Sequence, residues 1–223
     1  MIKTTKLLIA GAAIAGLAIS HAQDGDGWVS LFDGKSLDGW VIKSGEATYR
    51  IEGDSIVGTT KAGSPNTFLC TEKLYGDFEL EFEVKCADDL NSGCMIRSQL
   101  KDAENGKFGG RVNGPQVEIE ATKDGKSAES GYIYGEAVGG GWRTKDDVRK
   151  PHKHFKDGEW NHFRIVAKGD TIETWINGQH ITKLVDPAIF ESHPKGFLGL
   201  QVHGVGKSGP FEVRWRKLRI KEL

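Results

Sequence analysis

Polar and apolar side chains alternate strictly between Gln116 and Glu120. In an extended strand alternate side chains share a face, so Gln116, Glu118 and Glu120 point one way while Val117 and Ile119 point the other. Successive polar groups on that face would stand roughly 7 Å apart. An amide and two carboxylates at this spacing could hydrogen-bond a polyhydroxylated ligand, or serve as acid and base toward it.

Two further strand-like segments carry polar groups in the same way. Arg97 ends an apolar stretch that begins at Gly93, and Gln201 and His203 share one face of a second stretch. An arginine, a histidine and amides on strands beside the carboxylate row would form a polar cleft the size of one sugar unit. The alternative interpretation is that these side chains form the solvent face of an antiparallel sheet, which commonly alternates apolar and polar residues.

The segments that must position these groups have a period of two. From Phe78 to Lys85, apolar residues alternate with Glu79, Glu81 and Glu83. This pattern is typical of a strand with one buried face, and it indicates that the three glutamates face solvent.

Turn signals divide the chain between such strands. Asn177-Gly178 separates two alternating segments and predicts a hairpin. The alternation changes phase at Arg216-Lys217, which predicts a β-bulge. Helical periodicity is limited to a short helix over residues 186–192.

Many short strands joined by glycine-rich turns predict an all-β fold, a β-sandwich of two antiparallel sheets. No repeat or low-complexity linker divides the chain. The length suits one domain with a sizeable core, which we place at residues 23–223.

The N-terminus has the composition of a secretory signal peptide. Lys3 and Lys6 precede a short apolar run, and small residues lead to a cleavage site after Ala22. The run is too short to favour a spanning helix, and no cysteine near the cut could carry a lipid anchor. We therefore expect a periplasmic or secreted protein without membrane insertion after cleavage.

The charge balance argues against a nucleic-acid partner. Removing residues 1–22 leaves 31 acidic against 28 basic residues, a net charge of about −3. Such a balance disfavours general binding to nucleic acid or anionic membranes. The basic residues between Arg214 and Lys221 alternate with apolar ones, so we interpret them as the solvated face of a strand.

Three cysteines allow two interpretations. Export would permit a disulfide, and Cys86 and Cys94 flank a short loop that could bring them together. The odd count leaves at least one thiol unpaired within the chain. The alternative is that Cys70, Cys86 and Cys94 are three buried thiols.

The longest irregular stretch runs from Gly135 to Glu159 and contains Trp142. Long loops in compact domains are commonly functional, so we expect this one to border the cleft. Its histidines, His152 and His154, are either metal ligands or simply exposed side chains of a basic loop.

Three chemistries fit these residues. Gln116-x-Glu118-x-Glu120 resembles the Glu-x-Asp-x-Glu strand of laminarinase-type retaining glycosidases, but an amide stands at the nucleophile position. Proton abstraction beside a ketone would need a base such as His203 or Glu118 and a cation such as Arg97. No cofactor is evident, although a divalent metal held by Glu118 and His203 could replace that cation.

The third chemistry is binding without catalysis, as in a lectin. Trp142, Tyr132 or Tyr134 would then stack on sugar faces, while Gln, Arg and Glu side chains bind hydroxyls. Core or rim packing is the alternative role for these aromatic side chains.

The motifs in their order resemble one family, the 3-keto-disaccharide hydrolases. The matching segments are Gly27 to Trp40, Tyr75 to Leu80, Asn91 to Arg97, Gln116 to Ile119, Gly131 to Gly135, Glu159 to Asn161, Trp175 to Gly178, Gly199 to Gly204 and the terminal strand. The family often reads Glu-Val-Gln-Ile where this chain has Gln-Val-Glu-Ile, so the acid and the amide exchange places.

The resemblance implies a concanavalin-A-like jelly roll that acts on small glycosides whose glucose unit carries a 3-keto group. It implies cleavage in which C2 loses a proton and C1 loses its substituent. The residues at the family's polar positions are Arg97, Gln116, Glu118, Gln201 and His203.

We expect these residues to take distinct roles in catalysis and binding. His203 or Glu118 would be the base, and Arg97 would bind the keto or enolate oxygen. The expected substrate-binding residues are Gln116, Glu120, Gln201, Tyr134 and Trp142.

Overall fold

The structure is a computed structural model that describes residues 26–87, 90–104, 106–120 and 129–223. The predicted signal peptide, residues 1–22, lies outside the described residues. Within the described ranges, no helix has the length and apolar character needed to cross a membrane.

Fourteen strands and one α-helix make up the regular structure of the described residues. In chain order they are β1 (Val29–Ser30), β2 (Trp40–Lys43), β3 (Thr48–Glu52), β4 (Ser55–Thr59), β5 (Thr67–Thr71), β6 (Phe78–Cys86), β7 (Asn91–Lys101), β8 (Arg111–Glu120), β9 (Ile133–Glu136), β10 (Asn161–Lys168), β11 (Thr171–Ile176), β12 (Gln179–Val185), α1 (Pro187–Ser192), β13 (Phe197–Val202) and β14 (Glu212–Glu222). A 3-10 turn, Lys107–Gly109, precedes β8.

The strands form two antiparallel sheets, as the sequence predicted. The eight-stranded sheet has the order β12-β11-β10-β6-β14-β4-β3, with β1 paired to β14. The six-stranded sheet has the order β2-β5-β13-β7-β8-β9. Because β7 and β8 lie inside the second sheet beside β13, the polar residues of all three strands come together on one face.

The core lies between the sheets and is built from the apolar half of each alternating strand. On β6 the inward residues include Phe82, whose ring stacks on Phe163 of β10 with centroids 5.2 Å apart. Val117 and Ile119 of β8 face the same core from the six-stranded sheet. The alternation at Gln116 to Glu120 therefore places its polar members on the outer face, as predicted.

The outer face of the eight-stranded sheet is covered by paired charges. Each of three arginines pairs with a β6 glutamate and lies over a tryptophan ring. The groups are Arg164 with Glu79 and Trp175, Arg216 with Glu83 and Trp160, and Arg219 with Glu81 and Trp28. These contacts confirm that the β6 glutamates and the basic end of the chain form a solvated strand face.

The predicted hairpin, β-bulge and short helix are also confirmed. Asn177 and Gly178 take positive φ values of 51° and 80° in the hairpin between β11 and β12, as a tight hairpin of this type requires. In β14 the register shifts between Arg216 and Arg219. The short helix α1 occupies the segment expected to be helical.

The cysteines lie on three different strands, β5, β6 and β7. All three are buried thiols, and no disulfide joins them in the described chain. Of the two interpretations that the sequence left open, the structure therefore supports three buried thiols and not a Cys86–Cys94 bridge. Burial raises the pKa of Cys94 to about 12, so this thiol stays protonated and unreactive at neutral pH.

A bulge in β7 changes the direction of Arg97. The register with β8 runs from Met95 opposite Gln116 to Gln99 opposite Asn113, so β7 contains one extra residue between these pairs. Arg97 lies at this bulge with a left-handed φ of 48°. The period of two that predicted its direction is broken at this point.

The guanidinium of Arg97 is used to hold the fold together. Its Nε donates to the carbonyl oxygen of Gly76 at 2.7 Å, and Nη1 donates to that of Gly169 at 2.6 Å. Its Nη2 pairs with Asp77 at 2.8 Å. The guanidinium carbon Cζ lies 5.1 Å from the centroid of the Phe190 ring. The prediction that Arg97 joins the cleft is wrong, because its donors are already bound elsewhere.

Replacing Arg97 with methionine is expected to destabilise the protein by about 3 kcal/mol, because two carbonyl oxygens and Asp77 lose their donor. Urea unfolding of Arg97→Met measures the loss. Arg50→Met is the matched control: Arg50 pairs with Glu52 while both side chains are 45% and 49% exposed, so its cost should stay below about 1 kcal/mol. Equal unfolding midpoints for the two variants would contradict this structural role.

Candidate functional site

A cavity of about 330 Å³ lies on the outer face of the six-stranded sheet, a size within the range of small-ligand sites. Its lining residues are Asn66, Asn91, Arg111, Gln116, Glu118, Glu129, Tyr134, Glu136, Trp142, Gln201 and His203. Six of the predicted site residues are thereby brought together: Gln116, Glu118, Gln201, His203, Tyr134 and Trp142. A larger cavity of about 690 Å³, near Trp40 and Tyr75, contains none of them.

A glycine in the middle of the sheet creates the depression. Gly93 of β7 lies opposite Glu118 of β8, and Leu200 of β13 lies opposite Cys94, which sets Gln201 beside Gly93. A Cβ atom at Gly93 would stand 2.4 Å from Nε2 of Gln116. Because glycine has no side chain, the Gln116 amide can occupy the space above Gly93.

Two glutamines form a strongly buried part of the floor. Gln116 and Gln201 are only 2% and 1% exposed. Nε2 of Gln116 and Oε1 of Gln201 have no hydrogen-bond partner within the described structure. An unpartnered buried amide atom costs about 1–3 kcal/mol, and natural folds contain few of them. Two unpartnered amide atoms beside a cavity therefore favour a ligand-binding role for this sheet face over a purely structural one.

Glu118 is the most perturbed ionisable group of the cavity. It is 5% exposed, and burial raises its pKa to about 8. The nearby carboxylates of Glu120, Glu129 and Glu136 raise this pKa further, while the amide of Asn91, which donates to Oε1, opposes them. Glu118 is therefore largely a neutral acid at neutral pH, able to donate a proton.

His203 follows β13 and has a defined tautomer. Its Nδ1 lies 2.8 Å from the carbonyl oxygen of Gly204. A carbonyl can only accept, so Nδ1 carries the hydrogen and Nε2 of the neutral ring is the basic nitrogen. Asn66 accepts from the Gly204 backbone N–H at 2.9 Å and so fixes the segment that carries the histidine.

Aromatic side chains form one wall. Tyr134 and Trp142 meet edge to face, with ring centroids 5.4 Å apart. The guanidinium of Arg149 lies 4.3 Å from the Trp142 centroid and also pairs with Glu129 at 3.1 Å. As predicted, the long loop after β9 borders the cleft through Trp142. Tyr132, the alternative stacking residue, is buried and is not part of the cavity lining.

The sequence reasoning missed the cation of this cavity and two of its carboxylates. Arg111 lies 3.4 Å from Glu136 and is the arginine that lines the cavity in place of Arg97. Glu136 stands two residues after Tyr134 on β9, so the period of two could have identified it. Glu129 precedes a turn and carries no such signal. Glu120, in contrast, lies beyond the cavity lining.

The two candidate metal ligands, Glu118 and His203, both line the cavity. In the loop, His152 and His154 stack on each other with centroids 5.2 Å apart, and a ring nitrogen of His152 lies 2.8 Å from the Ser130 carbonyl oxygen. Among the described residues, no group of three or more His, Cys, Asp or Glu side chains is arranged to hold a metal ion.

Comparison with known proteins identifies a family that matches most of the chain. The family model described as a 3-keto-alpha-glucoside-1,2-lyase-like domain matches residues 27–221. A relative from Bacteroides thetaiotaomicron, named 3-keto-disaccharide hydrolase, is 23% identical over 244 aligned positions. The match covers 90% of this chain and 80% of that protein.

Solved structures share the fold at low sequence identity. The carbohydrate-binding module CBM66 from Bacillus subtilis superposes with a TM-score of 0.57 at 16% identity, covering 82% of this chain and 95% of that one. A Bacillus subtilis protein with a galectin-like fold gives a TM-score of 0.60 at 8% identity, covering 83% and 90%. These similarities confirm the predicted jelly-roll sandwich.

Glu118→Gln is expected to be more stable than the wild type at high pH, and this difference in unfolding free energy should grow as the pH rises. The folded-state pKa of about 8 lies above the usual 4.5, so the wild type loses stability between these values because the unfolded chain ionises more readily. Glutamine removes the ionisable group, and its advantage over the wild type should grow to about 5 kcal/mol by pH 9. Urea unfolding at pH 5, 7 and 9 measures this difference.

The exposed Glu191 supplies the control for the pH series. Glu191→Gln should show the same difference from the wild type at all three pH values. A Glu118→Gln advantage that does not change with pH would show that Glu118 ionises as an ordinary carboxyl group.

Proposed function

We propose that this chain, which belongs to the 3-keto-alpha-glucoside-1,2-lyase-like family, cleaves the glycosidic bond of small sugars oxidised at C3. The observation that carries the proposal is the buried Glu118, whose pKa of about 8 makes it a proton donor. It shares its cavity with His203, whose Nε2 is available as a base. We further propose that the protein acts in the periplasm or outside the cell.

A ketone at C3 makes this reaction accessible to a modest base. The ketone acidifies the C2 proton, because loss of this proton gives an enolate whose negative charge is shared with the C3 oxygen. The enolate electrons form the C1–C2 double bond as the C1–O bond breaks, and the departing oxygen takes a proton to leave as an alcohol. Water then adds across the double bond and gives the free 3-keto sugar.

We assign the proton transfers to two cavity residues. His203 Nε2 takes the C2 proton, and Glu118 gives its proton to the departing oxygen. Neither step needs an ionised carboxylate nucleophile, which agrees with Gln116 at that position of the strand. The raised pKa of Glu118, which keeps this group a neutral acid at neutral pH, matches its assignment as proton donor.

The remaining lining residues would hold the sugar. Gln116 and Gln201 on the floor, with Glu118, supply hydrogen bonds for hydroxyl groups, and Tyr134 and Trp142 offer apolar edges to a ring face. Arg111 is the cation in the lining and therefore the group we assign to the enolate oxygen.

The purified protein should release methanol from methyl 3-keto-glucoside and none from unoxidised methyl glucoside. Following the released alcohol with both sugars, with and without EDTA, tests the proposal. Release from the parent sugar would instead indicate a two-carboxylate hydrolase, and binding without release would indicate a lectin-like module. Loss of turnover with EDTA, restored by a divalent metal, would show a metal requirement, for which Glu118 and His203 are the candidate ligands.

Proton exchange at C2 separates the base from the acid. In D₂O, Glu118→Gln should still incorporate deuterium at C2 above the buffer rate, while it releases alcohol at least about 100-fold more slowly. His203→Gln should lose both activities, because no group removes the C2 proton. NMR of the recovered sugar measures exchange, and Glu191→Gln serves as the surface control. Exchange retained by His203→Gln but lost by Glu118→Gln would reverse the two roles.

A further inference from the structure

A second cavity adjoins the proposed sugar site. It also has a volume of about 330 Å³, and Asn66, Arg111 and Glu136 line both cavities. Three shared residues make these cavities neighbouring parts of one groove. A ligand with two units could therefore place one unit in each cavity.

The floor of the groove changes from polar to apolar between the two cavities. Gln201 of β13, on the floor of the first cavity, is the strand partner of Phe68 of β5, which lines the second. Phe68 belongs to an apolar cluster on the outer face that also contains Met95 and Phe197. The second cavity therefore presents an apolar floor directly beside the amides of the first.

An aromatic ring stands at the side of the second cavity. Phe108, in the 3-10 turn before β8, lines the cavity and is partly exposed. Its backbone has a left-handed φ of 62°, a conformation that bulky residues rarely adopt and that is concentrated at functional sites. The ammonium group of Lys107 lies 4.8 Å from the centroid of the Phe108 ring.

The segment that carries Phe108 is anchored at its C-terminal end. Ser44 donates to the Gly110 carbonyl oxygen at 3.0 Å and accepts from the Val112 backbone N–H at 2.8 Å. A Cβ atom at Gly110 would meet the Lys101 carbonyl oxygen at 2.6 Å, so this close approach requires glycine. The ring of Phe108 is thus attached to a fixed point of the sheet.

We propose that the second cavity binds the leaving group of the substrate and selects a six-membered ring with an apolar face. The inference rests on the proposed function, because it assigns the cleaved bond to the boundary between the cavities, at Asn66, Arg111 and Glu136. Phe108 contacts the apolar face of the ring, above the floor that the buried Phe68 supports. Lys107 and Arg111 lie at the rim and can bind hydroxyl groups when the ring is a second sugar.

Phe108→Ala tests the assignment by the ratio of kcat/KM between substrates. The three substrates are the methyl, phenyl and glucosyl 3-keto-glucosides, which share the first unit and differ in the leaving group. Loss of the ring contact should lower the phenyl-to-methyl ratio, the glucosyl-to-methyl ratio or both by roughly tenfold. The phenyl and glucosyl arms distinguish an aryl from a sugar leaving group.

Leu74→Ala is the matched control, because Leu74 is an apolar side chain 46% exposed and outside both cavities. It should leave the ratios at their wild-type values. Ratios unchanged in Phe108→Ala would overturn the leaving-group site while the proposed function stands. Wild-type protein that turns over none of the three substrates would instead refute the proposed function itself.

Discussion

The desolvation of one carboxyl group determines the character of the whole cavity. Glu118 lies on a sheet face that would ordinarily meet solvent, yet the walls around it leave it 5% exposed. Ionisation there has to work against burial and against three neighbouring carboxylates, with one amide donor from Asn91 in its favour. The fold therefore holds a neutral acid at neutral pH, and burial is the main cause of that state.

The two outer faces of the sandwich differ in how their charged and polar side chains are paired. On the eight-stranded sheet, glutamates such as Glu79 and Glu83 each pair with an arginine that also covers a tryptophan. On the six-stranded sheet, Glu118 is bound to an amide instead of a cation, and Gln116 and Gln201 keep unpartnered amide atoms in the described structure. Satisfied pairs stabilise a surface, whereas unsatisfied buried groups retain capacity for a ligand. This contrast supports the assignment of the functional face without the family resemblance.

Alternation with a period of two predicted most of the fold and the centre of the site. It identified the β6 face, the shared side of Gln116 and Glu118, and the pair Gln201 and His203. It failed at Arg97, because a bulge adds one residue to β7 and a periodic argument assumes that none is added. Gly114-Pro115, on the strand opposite this bulge, was the available signal, since proline within a sheet is confined to edges and bulges.

Glu129 and Phe108 could not be found in the same way, because they lie outside the strands. Arg111 begins β8 an odd number of residues before Gln116, so strict alternation assigns it to the opposite face. The cysteines illustrate the same limit, since Cys86 and Cys94 are close along the chain but lie on strands of opposite sheets. Sequence proximity alone therefore says little about which side chains meet across a sandwich.

The amide at Gln116 is consistent with the proposed chemistry, and it removes the carboxylate nucleophile that a laminarinase-type strand would carry at this position. Hydrolysis through an oxocarbenium-like transition state requires an ionised carboxylate beside the acid. Burial opposes ionisation of Glu118, and Gln116 has no charge to offer. A ketone at C3 removes that requirement, because the negative charge that develops after loss of the C2 proton spreads onto the ketone oxygen instead of demanding an anion from the protein. The substrate then supplies the electronic stabilisation, and the site has only to position the sugar and move two protons. Such a site can consist mainly of neutral amides, one neutral acid and one imidazole, and these are the groups that form the centre of this cavity.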